Sequence, residues 1–354
     1  MDNVDRRDFL RGAAGAFAAA SALAAPAGNE KVRVGLYGTR YSHLIGKIGI
    51  MKRASDTFEI AGAYEPEGTP PDNPAFNGIK IVSEDQLLGD PSIHLIIVEG
   101  QVDKTVPWAR KAIAANKHVH LERPPGVEME PFRQLVEEAR RRKLLIQVGY
   151  PWKFSPGVVA AFEAVQKGYL GDVYMVRATV NTDIDARARA GMQRFKTGIF
   201  YDLGPYMVDL VVALLGKPKE VKGWFHHDDS GFPDNIIDNS LAVLEYPKAF
   251  AVVSCNARQA GSREQRQFEI IGTDGWANLQ PVEPGRLHLH LREARGPYKA
   301  GPQEVALPVP PVPRWTGDLL EMARAIRTGT PLKYSYDHEL LLQETVMRIT
   351  GGRG

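Results

Sequence analysis

From residue 31 onward, short apolar runs alternate with segments whose apolar residues recur every three or four positions. Residues 32–37 are apolar apart from Arg33 and Gly35 and are closed by Gly38, which predicts a buried strand. Residues 42–53 place Leu44, Ile45, Ile48 and Met51 at helical spacing. Strand-like runs follow at 58–64, 79–82, 94–98, 118–121 and 144–148, with helices predicted at 104–116 and 129–142. Ser83 and Gln86 have the spacing of a capping box that opens a further helix. Six strands separated by helices predict a parallel sheet covered on both faces, with ligands received at the carboxyl ends of the strands.

After Gly149 the rhythm changes. Strand-like runs at 173–180, 240–245, 249–254, 268–271 and 287–291 follow one another, separated by turns such as Gly272-Thr273-Asp274-Gly275. This pattern predicts a second domain with a largely antiparallel sheet. Residues 300–313 are proline-rich and read as an extended surface segment, and helices are predicted at 315–328 and 337–349. The expected class is α/β: a doubly wound parallel-sheet domain over residues 28–150 and a second α/β domain over 151–354.

Residues 1–27 read differently. Arg6-Arg7-Asp8-Phe9-Leu10-Arg11 precedes an alanine-rich apolar stretch over 12–25, and Ala25-Pro26-Ala27 offers small residues for cleavage. This is the pattern of a twin-arginine export signal, and the stretch is short for a membrane span. The expected partner is the twin-arginine translocation machinery, and the expected location is the periplasm or the outside of the cell membrane. An uncleaved N-terminal anchor is the other reading. Because this route carries folded proteins, a cofactor bound in the cytoplasm travels with its protein.

Composition narrows the partners. The 354 residues carry a formal net charge of +2, with 24% charged and 44% hydrophobic residues, so no nucleic-acid partner is expected. The run Arg140-Arg141-Arg142-Lys143 ends a predicted helix, where it complements the helix dipole. The single cysteine, Cys255, lies in a strand-like run and is expected in the core; it excludes an internal disulfide and a cysteine-based zinc site. No metal site is expected: His226-His227-Asp228-Asp229 reads as a loop, and His288 and His290 as one face of a strand.

Four segments carry candidate chemistry. The turn Gly38-Thr39-Arg40-Tyr41-Ser42-His43 joins the first strand to the first helix, where a dinucleotide's pyrophosphate approaches the backbone. If Gly38 is the first glycine of such a turn, Arg40 and His43 occupy the places of the second and third. Arg40 then either obstructs the pyrophosphate or pairs with it, and Thr39 lies beside it. Glu65 ends the second strand, where an acid accepts hydrogen bonds from the adenosine ribose and repels a 2′-phosphate, favouring NAD over NADP; an exposed loop carboxylate is the other reading. Glu122-Arg123-Pro124-Pro125 follows the fifth predicted strand and falls at the ligand edge. In Asp202-Leu203-Gly204-Pro205-Tyr206-Met207-Val208-Asp209, a proline in the first helical turn would put Asp202 just ahead of a helix.

In that order, these segments resemble the Gfo/Idh/MocA family, named for glucose-fructose oxidoreductase, inositol dehydrogenase and a rhizopine-catabolism protein. Supporting segments are Gly149-Tyr150-Pro151-Trp152-Lys153-Phe154-Ser155-Pro156, Gly168-Tyr169-Leu170-Gly171, Phe268 through Gly275, and Ala325-Ile326-Arg327-Thr328-Gly329. The resemblance implies a Rossmann domain and an open-sheet domain, NAD(P) as cofactor, a sugar or polyol as substrate, and homo-oligomers formed through the open sheet. It places Glu122-Arg123-Pro124 on the family's Glu-Lys-Pro motif and Asp202 to Asp209 on its Asp-x-Gly-x-His-x-x-Asp motif. Arg123 therefore stands for the catalytic lysine, Tyr206 for the catalytic histidine and Asp202 for a substrate-orienting carboxylate. Glu122 and Pro124 would border the cofactor, and Lys153, Asp209 and His43 the substrate.

The two departures matter chemically. An arginine stays protonated and cannot act as a base, and a tyrosine of ordinary pKa is a poor one at neutral pH. A nearby Arg123 is expected to lower the pKa of Tyr206, so that the two replace the usual pair. Three functions remain open on sequence: a nicotinamide-dependent oxidoreductase, a non-redox or transiently redox carbohydrate enzyme, and a carbohydrate-binding protein that has lost the reaction.

Overall fold

A computed structural model describes residues 30–228, 231 and 234–352. The segment read as an export signal lies outside the described residues. The first sheet is built from β1 (Val32–Tyr37), β2 (Phe58–Tyr64), β3 (Leu95–Val98), β4 (His118–Leu121) and β5 (Ile146–Val148). All are parallel, in the order β2-β1-β3-β4-β5. The helices between them are α1 (His43–Arg53), α2 (Glu84–Gly89), α3 (Val102–Ala114) and α4 (Met129–Arg142). β3 and β5 are buried along their whole length, as strands covered by helices on both faces must be.

Five strands form where six were expected. Residues 79–82 make only a single bridge, Ala63 to Ile81, outside β2 at the sheet's edge. Ile81 is 52% exposed, so this run has no second apolar layer to hold it as a strand. Ser83 and Gln86 do form the capping box of α2.

A 3₁₀ turn, Pro151–Phe154, leads from β5 into α5 (Pro156–Gln166) and the second sheet. That sheet comprises β6 (Val173–Thr179), β7 (Glu220–His226), β8 (Asn239–Glu245), β9 (Phe250–Asn256), β10 (Gln267–Gly272), β11 (Gly275–Leu279), β12 (Leu287–Leu291) and β13 (Gly301–Val305). Their order is β13-β12-β11-β10-β6-β9-β8-β7, antiparallel throughout except for β6 beside β9. Three of these strands, β7, β11 and β13, carry no long apolar run and escaped the pattern reading. β13 also shows that the proline-rich stretch begins as an edge strand rather than as wholly irregular surface chain. Three helices lie between the strands: α6 (Ala186–Met192), α7 (Ile199–Leu215) and the short α8 (Ser262–Gln265). Cys255 is buried in β9, its thiol directed at the carbonyls of Val180 and Ile199.

Two further helices close the chain: α9 (Thr316–Thr328) returns to the first domain, and α10 (Tyr336–Ile349) packs on α4 and β5 of the first domain and on α7 and β7 of the second. Leu319, Met322, Ala323 and Ile326 of α9 pack into one apolar cluster with Val32, Val34 and Leu36 of β1 and Leu44 and Ile48 of α1. Each sheet is continuous in sequence, but the core under β1 is completed by residues nearly 300 positions later.

Candidate active site

The site is assembled where the carboxyl edge of the first sheet meets α7. α7 begins six residues before Pro205, so Asp202 lies in its first turn and Pro205 in its interior, not at its start as expected. Gly198 sets that beginning: it has φ 52°, and a Cβ there would lie 2.0 Å from the carbonyl oxygen of Ile237. The fixed start aims Asp202 and Tyr206, one turn apart, at the end of β4.

Arg123 follows β4 and meets both. Its Nε donates to the Tyr206 hydroxyl at 3.1 Å, and its Nη1 donates to the Asp202 carboxylate at 2.8 Å and to the Asp202 backbone carbonyl. The guanidinium carbon lies 4.7 Å from the centre of the Tyr206 ring. The two positions that depart from the family motif are thus in direct contact. Tyr206 retains only 3% exposure, and here one expectation is corrected. The pKa of Tyr206 is raised above 10.0, because burial of the phenol outweighs the opposing pull of Arg123. The phenol therefore keeps its proton at neutral pH. Because Arg123 donates to its oxygen, its own O–H is left to donate elsewhere.

Beneath this pair lies a buried ionic network. Lys47 of α1 is fully buried and bonds Glu99, which follows β3, and Glu122 at 3.2 Å. Glu122 also meets His43 at 2.8 Å. Burial raises the pKa of Glu99, with the Glu122 charge adding to the effect; Lys47, His43 and Arg123 together hold Glu122 below the usual carboxylate range despite its burial. Among the described residues, Glu99 Oε2 has no hydrogen-bond partner. His120 reaches Asp318 of α9 at 3.2 Å and is kept neutral chiefly by burial. His118 is likewise pushed down, to about 4, and its Nδ1 accepts the backbone N–H of Leu145.

At the first turn, Gly38 has φ 83°, and a Cβ there would lie 1.9 Å from the Glu99 carbonyl oxygen, so only glycine fits. Beside it is a recess of about 210 Å³ bordered by Gly38, Arg40, Tyr41, Glu65, Glu99 and Arg194. Arg40 does not fill it: its guanidinium is half exposed, donates to the Thr69 carbonyl at 3.0 Å and lies 3.8 Å from Glu65. Glu65 is not an exposed loop acid. Its Oε2 accepts both the backbone N–H and the hydroxyl of Thr39, at 2.7 and 2.6 Å, and its Oε1 accepts the N–H of Glu67. It first of all pins the turn, with one oxygen less committed and free to accept from a ribose. A glycine-only cradle, two arginines suited to a diphosphate and a carboxylate with spare acceptor capacity fit a dinucleotide.

Lys153 and Asp209, expected to meet substrate, meet each other instead. Both are fully buried, 3.1 Å apart, and Asp209 also bonds His338 of α10 at 2.7 Å. They tie the end of the first sheet to α7 and α10 one layer behind the site. Pro124 follows Arg123 in a buried stretch, and its carbonyl accepts the N–H of Gly126. His43 sits at the rim, between Glu122 and Trp315.

Sequence reading missed several contributors. Lys47 was legible as a lysine on the apolar face of α1, and Glu99 as an acid directly after a wholly apolar strand. Trp152 packs 4.7 Å from Tyr206, ring centre to ring centre, and donates its indole N–H to Glu283. Arg314 pairs with the same carboxylate, its Nε 2.7 Å from Oε2. These contacts join residues from 31 to 131 positions apart, which no local pattern announces.

Comparison with known proteins agrees with this architecture. Residues 32–150 match the oxidoreductase family with an NAD-binding Rossmann fold, and residues 158–278 match the GFO/IDH/MocA C-terminal domain. The chain is a member of the GFO/IDH/MocA oxidoreductases, enzymes built on a nicotinamide-binding Rossmann domain. Among its relatives are the oxidoreductase YhhX of Escherichia coli, 25% identical over 65% of this chain and 70% of that protein. Human trans-1,2-dihydrobenzene-1,2-diol dehydrogenase is 26% identical over 66% of each chain. A solved structure of aldose-aldose oxidoreductase from Caulobacter crescentus, complexed with glycerol, superimposes with a TM-score of 0.75 over 91% of this chain and 97% of that one; at 20% identity this is a likeness of fold.

Proposed function

We propose that this enzyme interconverts a carbonyl and a hydroxyl on a sugar or polyol, with Tyr206 as the proton donor and Arg123 as the group that orients it. The supporting observation is the Arg123 Nε–H donated to the Tyr206 hydroxyl at 3.1 Å, beside the Asp202 carboxylate. Bound nicotinamide supplies the hydride in the reducing direction and accepts it in the other.

The chain's own groups manage the proton. In reduction, the Tyr206 O–H donates to the oxygen of the carbonyl as charge develops there, and Arg123 stabilises the phenolate left behind. Asp202 holds Arg123 in place and offers a free carboxylate oxygen to a neighbouring substrate hydroxyl. A phenol held protonated by burial favours the reducing direction at neutral pH. The dihydrodiol dehydrogenase and aldose oxidoreductase among the similar proteins support a polyhydroxylated substrate.

NAD is the proposed cofactor rather than NADP, because the buried Glu65 carboxylate would face a 2′-phosphate. Arg40, 3.8 Å from it, works the other way. Glu65 is fixed to the turn by its bonds from Thr39 and Glu67, whereas Arg40 is half exposed, so the carboxylate sets the preference in this reading. Export by the twin-arginine route to the periplasm, with cofactor already bound, is proposed from Arg6-Arg7 and the apolar stretch behind it. A homo-oligomer is proposed through the open face of the second sheet, where Trp224, Leu241 and Phe250 are exposed.

The test is a titration of the purified chain with NADH and NADPH, followed by a carbonyl-reduction assay on aldoses, ketoses and their alditols. Tighter NADH binding and turnover that falls about 10²–10⁴-fold in Tyr206→Phe are expected. Binding of neither nucleotide would overturn the reading.

A further inference from the structure

Three guanidiniums converge on one aromatic pair at this site. Arg123 lies over Tyr206, and the guanidinium carbons of Arg266 and Arg314 lie 5.8 and 5.9 Å from the ring centre of Trp152, which itself packs on Tyr206. They come from three separate parts of the chain: the end of β4, the approach to β10, and the strap before α9. Two are neutralised. Asp202 pairs with Arg123 and Glu283 with Arg314.

Arg266 is not. Its Nε donates to the backbone carbonyl of Asn181 at 3.3 Å, and among the described residues no carboxylate comes within salt-bridge distance of it. Glu283 acts on it from further away but is already engaged by Arg314 and by the Trp152 indole. Burial and the charges of Arg314 and Arg263 hold the pKa of Arg266 below its ordinary value, the direction that an incoming anion reverses. Arg123 also lies 3.7 Å from Glu122, so Arg266 alone of the three guanidiniums has no carboxylate beside it among the described residues.

We propose that the substrate is an acid sugar, a polyhydroxylated monocarboxylate whose carboxylate is received by Arg266 beside Trp152 while its reacting carbon lies at Tyr206. The assignment deepens the oxidoreductase reading and rests on it for the position of the reacting carbon. One unpaired guanidinium matches a monoanion better than a phosphate dianion, and the planar fork of arginine matches a carboxylate edge. Neutral sugars would leave a half-buried guanidinium without a counter-ion.

The experiment uses the full chain with and without saturating NADH, with cofactor binding measured separately by NADH fluorescence. Matched probes are titrated calorimetrically: glucuronate against glucose, galacturonate against galactose, gluconate against glucitol, and glucose 6-phosphate as the dianion. The expected result is at least one carboxylate binding about tenfold or more tightly than its neutral partner, a difference of about 1.4 kcal/mol. That preference should vanish in Arg266→Gln and return in part in Arg266→Lys, with NADH affinity and the circular dichroism spectrum unchanged. Carboxylates binding no better than neutral sugars in every pair, no binding by any probe, a preference that survives Arg266→Gln, or tighter binding of the phosphate would each overturn the proposal. Failure of NADH to bind would instead sink the dinucleotide reading, and the carboxylate preference is then read on the chain without NADH.

Discussion

At the scale of single residues, the site runs on environments rather than on residue types. Tyr206 is a phenol that burial keeps protonated above its ordinary value of 10.0 even though a guanidinium touches it. The sign has a kinetic consequence. A proton donor with a raised pKa remains competent until the pH exceeds that value, so carbonyl reduction should show no alkaline loss from this group below pH 10. A kcat profile in the reducing direction checks this, and an alkaline limb near pH 8 that disappears in Tyr206→Phe would contradict it. Gly38 makes a second residue-level case. In Gly38→Ala the new methyl would fall against the Glu99 carbonyl in a backbone region that L-residues avoid, so a cost of about 1–3 kcal/mol from strain alone is expected. NADH binding should fall further than stability does, because the same turn borders the nucleotide recess. Denaturant unfolding alongside an NADH titration separates the two.

At the scale of elements, the start of α7 sets where Asp202 and Tyr206 lie. Pro205 pointed to a helix beginning near Asp202, yet the helix begins at Ile199 because Gly198 alone accepts the left-handed turn pressed against Ile237. That contact joins two segments 39 positions apart, so nothing local revealed it. The motif residues were legible; their helical phase was not. Gly198→Ala should cost about 2 kcal/mol and lower kcat while leaving NADH affinity close to normal, since the nucleotide recess is built mainly by other elements. Loss of NADH binding in step with kcat would show that α7 is not an independent lever. The strands divide along similar lines. Buried β3 announced itself as a continuous apolar run, whereas β7, with alternate residues exposed and Gly223 in its middle, did not. Residues 79–82 had the apolar content of a strand and lacked only a neighbouring layer.

At the scale of the whole molecule, the buried charges join the parts. Lys47 holds Glu99 and Glu122 inside the first domain, His120 meets Asp318 of α9, and Asp209 joins Lys153 to His338 of α10. Removing one partner leaves the others buried and unpaired, so Lys47→Met should destabilise the protein by about 3–5 kcal/mol at neutral pH. The pH dependence follows from Glu122, whose folded pKa is depressed. Its stabilising contribution is present above the ordinary value of 4.5 and is lost as pH falls below it. The gap between wild type and Lys47→Met should therefore hold above pH 4.5 and narrow on acidification below it, as measured by urea unfolding at several pH values. A gap that is constant with pH would mean that Lys47 acts by packing rather than by charge.

Periodicity and punctuation in the chain were enough for the α/β plan of a parallel sheet followed by a largely antiparallel one, and the resemblance of two motifs for singling out Arg123, Tyr206 and Asp202, which do meet in the fold, because these depend on spacing along a strand or a helix. Whether Tyr206 carries its proton, whether Lys153 and Asp209 face a ligand or one another, and where a lone arginine is left without a counter-ion depend on desolvation and on pairings between distant segments. Those are properties of packed space, and only the folded chain decides them.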